Sequence, residues 1–292
     1  HLQKRVIGQN QAAGQLLNHL RAASAGLGEP NRPLTTLLFI GPSGVGKTEM
    51  AKSLATFLYP DKNALLRVDM SEFSEGFGVS KLLGAPAGYV GYKESTPVLD
   101  KLRHQPHSVV VFDNVDKGHP DVLRLLLQIA EEGELTTSRG KTISFKQAIV
   151  ILTMATESSL FSSDGIGFGG SQAKTGIPSR VYDSAKEILG EELLGSLDAV
   201  LPFSMLSGED LHKIFALHVD RLSVQLKKQG RTISFDQQVI PYLLSLTKEK
   251  EGARMTRSLI AQHLSHPLAS SLRSDSTTIT ARTTERGIII EY

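Results

Sequence analysis

The sequence predicts an α/β fold in which a parallel, five-stranded sheet lies between helices, followed by a smaller and mostly helical domain. Apolar runs of strand length alternate along the first two thirds of the chain with segments of helical periodicity. These runs are continuous, which is typical of parallel strands buried on both faces. Beyond residue 205 a long helical stripe replaces the alternation. We therefore expect a large domain over residues 1–205 and a small one over residues 206–292.

The large domain begins with a polar segment and a helix over residues 12–20, which Pro30 and Pro33 separate from the first strand. Strands that alternate with helices pair in parallel through right-handed crossovers. The predicted strands are, in chain order, residues 37–40, 64–68, 109–112, 148–153 and 199–203. The later helices are predicted over residues 50–58, 96–103, 121–132 and 181–194, with a hairpin over residues 135–145.

The small domain is predicted to open with a capped helix. Ser207 and Asp210 are spaced as in a capping box, although Asp replaces the usual Glu or Gln. Apolar residues between Leu211 and Leu226 then form one helical stripe. The remaining predicted elements are a helix capped by Asp236 with Pro241 deep inside it, a helix from Gly252, and a strand over residues 288–290.

Composition excludes several classes of protein. The 292 residues carry 32 Lys and Arg against 30 Asp and Glu, a net charge of +2 that gives no support for binding to nucleic acid or to a membrane surface. The chain has no cysteine, which excludes disulfides and thiolate metal sites and fits a reducing, intracellular compartment such as the cytoplasm, the nucleus or an organelle matrix. No apolar run approaches the ~18 residues of a membrane span. Because the sequence starts at His1 rather than Met, we expect it to be part of a longer chain.

The strongest motif lies between the first strand and its helix. The residues Gly41-Pro42-Ser43-Gly44-Val45-Gly46-Lys47-Thr48 match the phosphate-loop pattern G-x-x-x-x-G-K-[ST] in its required strand–loop–helix context. Glycines let backbone N–H groups curl round an anion, and the helix N-terminus adds favourable partial charge. The pattern predicts binding of ATP or ADP, with Lys47 on the outer phosphates and Thr48 on Mg²⁺.

Asp113 is the candidate for the second metal-binding position. It follows the apolar strand over residues 109–112, where nucleotide-hydrolysing enzymes place a carboxylate for Mg²⁺. The alternative is an aspartate that caps the following helix. Beyond the phosphate loop there is no spacing typical of metal ligands among the nine histidines, so nucleotide-bound Mg²⁺ is the only metal that the sequence predicts.

With these motifs in place, the chain resembles the Clp family of AAA+ ATPases, which are ring-forming protein unfoldases and disaggregases, and in particular the second ATPase module of that family. Several segments occur in the same order as in the family. They are Arg5-Val6-Ile7-Gly8-Gln9, Asp69-Met70-Ser71-Glu72-Phe73, the stretch from Leu83 to Tyr92, His119-Pro120-Asp121-Val122 and Gly252-Ala253-Arg254.

The resemblance implies roles for further residues. Val6 and Ile7 would lie against the adenine, and Arg254 would reach the phosphates from the small domain, the alternative being a solvated arginine at a helix start. The pore loop that grips polypeptide in a hexamer would be formed by Gly88-Tyr89-Val90-Gly91. Without the resemblance, Tyr89 would be interpreted only as an aromatic residue in a turn. Ile166-Gly167-Phe168 is like the tripeptide with which some members dock onto a peptidase ring, or else an ordinary glycine-rich loop.

Three departures from the family pattern concern hydrolysis. The family ends the third strand in Asp-Glu, with the Glu polarising the attacking water, but this chain has Asn114. Ala155 stands where the family has an Asn that orients the water, and Ser196 stands where it has an Arg that serves the neighbouring subunit. Asp116 is a minor alternative as a displaced base.

The resulting expectation is a module that binds ATP or ADP with Mg²⁺ and hydrolyses it weakly or not at all. It would act through nucleotide-dependent assembly in a homo- or hetero-hexameric ring, or by binding protein clients or regulatory proteins, with a peptidase ring as a further partner. The alternative is an active unfoldase or disaggregase motor whose missing groups come from elsewhere. A nucleic-acid motor or clamp loader with the same phosphate loop is disfavoured by the Tyr89 segment and by the nearly balanced charge.

Overall fold

A computed structural model describes residues 2–26, 28–59, 64–75, 78–84, 98–161, 179–247, 252–271, 278–284 and 287–291. The chain divides into two compact units. The first comprises residues 1–42 and 46–204, and the second comprises residues 205–292 together with residues 43–45. Within the described residues, no helix is both long and apolar enough to cross a bilayer.

Ten strands are described. They are β1 (Thr35–Gly41), β2 (Leu65–Asp69), β3 (Val109–Asp113), β4 (Glu134–Thr136), β5 (Thr142–Ser144), β6 (Ile149–Ala155), β7 (Ala199–Pro202), β8 (Thr232–Phe235), β9 (Thr278–Thr284) and β10 (Gly287–Glu291). Five of them form a parallel sheet in the order β2-β3-β6-β1-β7. The predicted parallel, five-stranded sheet is therefore confirmed. Strands β1 and β3 are buried along their whole length and β6 along all but its last residue, as their continuous apolar runs predicted.

Helices cover the sheet of the first unit. They are α1 (Leu2–Arg5), α2 (Asn10–Ser24), α3 (Lys47–Leu58), α4 (Gly78–Leu83), α5 (Lys101–His104), α6 (Pro120–Glu132), α7 (Ser179–Leu189) and α8 (Glu191–Ser196). The predicted helix over residues 181–194 is two helices, because Gly190 between them has φ 80°, a left-handed conformation that interrupts a helix. Strands β4 and β5 form the predicted antiparallel hairpin.

The core of the first unit lies on one face of the sheet. Alternate side chains of β1, β3 and β6, such as Ile40, Phe112 and Leu152, pack with apolar residues of α6, α7 and α8 in one cluster of buried side chains. Residues Leu37 and Phe39, which point to the other face because strand side chains alternate, are fully buried as well. A sheet covered on both faces leaves the carboxyl ends of its strands as the edge where loops and polar groups meet.

The second unit is a helical domain with a small sheet. It contains α9 (Gly208–Lys227), α10 (Val239–Ser245), α11 (Gly252–Ile260) and α12 (His266–Ser271), with a π-helical turn over Ala261–Ser265 between the last two. Strand β9 pairs in parallel with β8 and antiparallel with β10. The sequence predicted β10 but not β8 or β9. Helix α10 begins at Val239 rather than beside Asp236, so Pro241 lies in its first turn, where no intrahelical N–H is needed.

The predicted cap of α9 is confirmed. The Ser207 hydroxyl accepts the Asp210 N–H at 3.1 Å, and the Asp210 carboxylate accepts the Ser207 N–H at 3.0 Å. Aspartate therefore substitutes for the usual Glu in this capping box.

Candidate functional site

The phosphate-loop motif forms a tight turn between β1 and α3. A side chain at Gly41 would place its Cβ 2.4 Å from the Phe203 carbonyl oxygen, so only glycine fits there. Gly44 and Gly46 have φ of 77° and 108°, and Gly46 directly precedes α3. Left-handed glycines of this kind turn neighbouring backbone N–H groups to one side of a loop, which is how anion-binding concavities form.

Lys47, the first residue of α3, folds back over this loop. Its ammonium group donates to the carbonyl oxygens of Gly41 and Pro42, both at 2.7 Å, and the residue is only 8% exposed. The ammonium is thus held at the loop that the motif predicts for phosphates.

Thr48 and Asp113 come from two different elements and meet beside the loop. The Thr48 hydroxyl lies 3.0 and 3.2 Å from the two carboxylate oxygens of Asp113, which ends β3 and is 2% exposed. Hydroxyl and carboxylate oxygens are the donors that Mg²⁺ takes from proteins in nucleotide sites. The predicted pair is therefore brought together, and its donor set fits a nucleotide-bound Mg²⁺.

Two further residues hold the Asp113 carboxylate, and sequence reasoning missed both. The Thr153 hydroxyl, from β6, donates to Oδ1. Arg67, from β2, brings Nε to 2.8 Å and Nη2 to 2.6 Å of Oδ2. A threonine inside an otherwise aliphatic buried strand was the available signal, as was an arginine two residues before a strand-ending aspartate. Both supply the hydrogen bonds and charge that a buried carboxylate requires.

Asn114 occupies a strained backbone position next to Asp113. Its φ of 60° and ψ of 52° are left-handed, and in the described part of the chain it is the only residue other than glycine with positive φ. Asn tolerates this conformation better than most residues. Its N–H donates to the Thr153 hydroxyl at 3.0 Å, and its side-chain Nδ2 donates to Asp69 Oδ1 at 3.2 Å. The amide is therefore a hydrogen-bond donor within a polar cluster.

The carboxyl group of Asp69, which accepts the Asn114 hydrogen bond, has a lowered pKa. Partial burial alone would raise the pKa of Asp69, but hydrogen bonds from the side chains of Ser71 and Asn114 and the nearby Arg67 guanidinium outweigh it and lower that pKa. Asp69 therefore stays ionised and acts as an acceptor for the Asn114 amide.

Ala155 and Asp116 meet at the end of β6. The Ala155 N–H donates to Asp116 Oδ1 at 3.2 Å, and Lys117 Nζ lies 3.6 Å from Oδ2. The side chain of Asp116 is only 8% exposed. Both oxygens of the alternative base thus have partners inside the fold, and the methyl group of Ala155 offers no hydrogen bond to a water.

Ser196 lies at the end of α8 with an arginine beside it. Arg32 Nη2 donates to the Ser196 carbonyl and lies 3.7 Å from Asp198, while its Nε donates to the Ala130 carbonyl at 2.8 Å. Because this guanidinium contacts these three groups and also lies 4.0 Å from the Glu29 carboxylate, it forms part of the structure around α8.

The other predicted site residues are placed as follows. Val6 is 3% exposed and packs beside Gly46, since a Cβ added to that glycine would lie 3.0 Å from Val6 Cγ1, and Ile7 is half-buried. Arg254, the third residue of α11, is exposed and forms no hydrogen bond or ion pair with described residues. The segments 88–91 and 166–168 lie outside the described residues.

Comparison with known families gives matches for both parts of the chain. Residues 32–200, more than half of the chain, match the family model described as AAA domain (Cdc48 subfamily). The chain belongs to the AAA family. Residues 206–284 of this AAA protein match the family model of the C-terminal, D2-small domain of ClpB protein. The resemblance to Clp-type AAA+ ATPases is thereby confirmed.

Individual relatives agree with the family models. The AAA chain is 37% identical over 277 residues to chaperone protein ClpB 1 of Thermosynechococcus vestitus, covering 94% of this chain and 31% of the relative. It is 37% identical to the ATP-dependent Clp protease ATP-binding subunit ClpE of Lactococcus lactis, covering 92% of this chain and 36% of the relative. It thus spans about a third of the length of these two curated relatives.

A solved structure shares the fold of this AAA chain. It is a closed-state reconstruction of Hsp104 with ATPγS and FITC casein, with a TM-score of 0.85 and 32% sequence identity. The match covers 99% of this chain and 50% of the Hsp104 chain.

Proposed function

We propose that this chain is a Clp-type AAA+ module that binds ATP or ADP with Mg²⁺ and hydrolyses the nucleotide weakly or not at all. Binding is supported by the loop from Gly41 to Gly46, by the Lys47 ammonium at that loop, and by the adjacent oxygens of Thr48 and Asp113. Bound Mg²⁺ would neutralise phosphate charge beside Thr48 and Asp113. Val6 and Ile7 would contact the base, and Arg254 would contribute from the small domain.

One observation carries the second half of the proposal. The Asn114 side chain donates a hydrogen bond to the Asp69 carboxylate, which an amide can do and an ionised glutamate cannot. An amide does not take a proton from water at neutral pH, so the residue cannot serve as a general base. Loss of a positioned base lowers rates by ~10²–10⁴, and loss of an arginine finger by ~10³–10⁵. These losses do not multiply when the groups act as a unit.

The proposed assembly and partners are supported by the names of the relatives. Proteins similar to this chain are named chaperones or an ATP-binding subunit of a Clp protease, and one solved relative was imaged with casein. We infer a homo- or hetero-hexameric ring that acts on protein clients or regulatory proteins inside the cell. Gly88-Tyr89-Val90-Gly91 would form the pore loop, and Ile166-Gly167-Phe168 would dock a peptidase ring.

The competing function is an active unfoldase or disaggregase motor. It is favoured by the match of the two units to AAA and ClpB family models and by the intact binding groups. It requires that a base and an arginine come from outside the positions of Asn114 and Ser196. Asp116, beside Ala155, and Arg32, beside Ser196, are each held by contacts within the described structure.

A paired measurement of binding and turnover separates the two functions. Nucleotide affinity and steady-state hydrolysis are measured for the assembled wild-type chain and for a variant that combines Asn114→Glu, Ala155→Asn and Ser196→Arg. We expect similar affinities, negligible wild-type turnover, and measurable turnover only in the combined variant. Adding Lys47→Ala to that variant should abolish its turnover, which shows that the activity arises in this loop.

Two results would contradict the proposal. Wild-type turnover near ~1 s⁻¹ or faster, within the usual enzyme range, would favour the motor. Failure of the wild-type chain to bind Mg²⁺-nucleotide at any reasonable concentration would remove the binding function itself.

A further inference from the structure

Arg67 contacts the carboxylate that the proposed function assigns to Mg²⁺. The residue lies in the middle of β2, an edge strand of the parallel sheet, and the register pairs Asp69 with Asp113 two residues further on. Both Nε and Nη2 of Arg67 lie on one oxygen, Asp113 Oδ2, at 2.8 and 2.6 Å. The same oxygen lies 3.2 Å from the Thr48 hydroxyl. The guanidinium thus occupies one of the two carboxylate oxygens beside the predicted metal ligand, and the other, Oδ1, lies 3.0 Å from the Thr48 hydroxyl.

The partners of Asp113 differ in how easily they can leave. Thr153 is 1% exposed and fixed within a central strand. The side chain of Arg67 is 41% exposed and stands on an edge strand, so it can swing towards solvent without disturbing the core. It also has a second acceptor, because Nη2 lies 3.0 Å from Asp69 Oδ2. Arg67 is therefore the partner that can release Asp113 at low cost.

A divalent cation beside Thr48 would change the balance of charges. A buried carboxylate needs a compensating positive charge, and Arg67 supplies it in the structure described here. A metal ion at the same carboxylate supplies that charge itself and repels the guanidinium at short range. Two cations would then compete for the same Asp113 carboxylate.

We propose that Arg67 is a positioning residue that holds Asp113 in the metal-free state and gives up this contact when Mg²⁺-nucleotide binds, keeping its contact to Asp69. This inference rests on the proposed nucleotide binding. It means that the metal exchanges with an arginine rather than entering a preformed free carboxylate. The affinity for Mg²⁺-nucleotide is lowered accordingly, and the metal-free fold is stabilised.

The test measures how much Mg²⁺ strengthens nucleotide binding. The dissociation constant of ADP is determined by calorimetry in excess Mg²⁺ and in EDTA. The ratio compared between variants is the dissociation constant in EDTA divided by the dissociation constant in excess Mg²⁺. Arg67→Met removes the competing contact, so we expect the ratio to rise about tenfold, the size of one charge-assisted hydrogen bond. The unfolding temperature without metal should fall more than the unfolding temperature with Mg²⁺-ADP.

Two further variants separate contact exchange from simple charge. Arg67→Lys keeps the positive charge but loses the two-nitrogen contact, so its ratio should also rise, by several-fold. Arg103→Met removes an arginine that pairs with Asp100 at 3.2 Å on the surface and should leave the ratio unchanged. If the ratio of Arg67→Lys equals that of the wild type while the ratio of Arg67→Met differs, Arg67 acts only through its charge and not through its contact with Asp113. That result would overturn the inference. Equal ratios in all variants would also overturn it, whereas a wild-type chain that binds no ADP would refute the proposed function instead.

Discussion

Replacing Thr153 by valine removes one hydroxyl from the centre of the candidate site and changes little else. Valine has nearly the same shape, and the residue is 1% exposed, so the packing of β6 is preserved. The hydroxyl donates to the Asp113 carboxylate and accepts the Asn114 N–H at 3.0 Å. The variant therefore loses one hydrogen bond to a buried charge and leaves the Asn114 N–H without its acceptor.

The expected loss of stability follows from these two contacts. A hydrogen bond to a charged group contributes roughly 1.5–3 kcal/mol, and an unsatisfied buried donor costs roughly 1–3 kcal/mol. The methyl group that replaces the hydroxyl regains about 0.8 kcal/mol through burial. We expect Thr153→Val to lower the free energy of unfolding by about 2–4 kcal/mol, allowing for partial relaxation of the Asn114 backbone.

The same sheet offers a matched control. Thr36 in β1 is also 1% exposed, but its hydroxyl is buried and has no hydrogen-bond partner among the described residues. Thr36→Val should be neutral or stabilising by up to about 1 kcal/mol, because it removes an unsatisfied polar atom. The chain has no tryptophan, so urea unfolding is followed by circular dichroism. If both variants unfold at the same urea concentration, the hydrogen bonds of Thr153 have no net effect and the reasoning fails.

Three other outcomes are expected. Lys47→Ala should weaken ADP binding by roughly 10- to 150-fold, since a hydrogen bond to a charged group contributes about 1.5–3 kcal/mol, and calorimetry checks this. Ser207→Ala should cost about 1 kcal/mol of unfolding free energy by removing the cap of α9, with a smaller loss if Asp210 alone holds the turn; thermal unfolding measures it. Asp69 has a lowered pKa in the fold, so its stabilising effect is present above the unfolded-state pKa and is lost as the pH falls through the folded-state value. Asn114→Ala should raise the pKa of Asp69 towards its ordinary value, which an NMR titration of that carboxyl detects; an unchanged pKa would show that the Asn114 hydrogen bond does not matter.

The parts of this protein that sequence predicted well depend on local patterns. The phosphate loop, its strand and its helix are contiguous, and Asp113 follows an apolar run that fixes its place at the sheet edge. The partners of Asp113 come from strands that are 46 and 40 residues away in the chain, at Arg67 and Thr153. Their contacts depend on strand order, which a hydrophobic pattern alone does not specify.

The small sheet of the second unit was missed for a similar reason. Strand β8 has four residues and pairs in parallel with β9, which follows after three intervening helices. So short a strand gives little alternation for a pattern to detect. The split of the predicted helix over residues 181–194 depends on one glycine, Gly190, whose left-handed conformation became visible only in the structure.

The hydrogen bonds of Lys47 imply a selection among anions. Two of the three donors of the ammonium already have neutral acceptors in the carbonyls of Gly41 and Pro42, so a ligand oxygen that replaced one of these carbonyls would gain only the difference between its own hydrogen bond and that of a carbonyl oxygen. Hydrogen bonds to ionised oxygens are roughly twice as strong as those to neutral ones. A ligand with neutral oxygens would gain little from this exchange, a carboxylate would gain more, and a polyphosphate, which presents several ionised oxygens, would gain most. At the proposed nucleotide site, the lysine would thereby discriminate between ligands by their charge before any base or sugar is recognised.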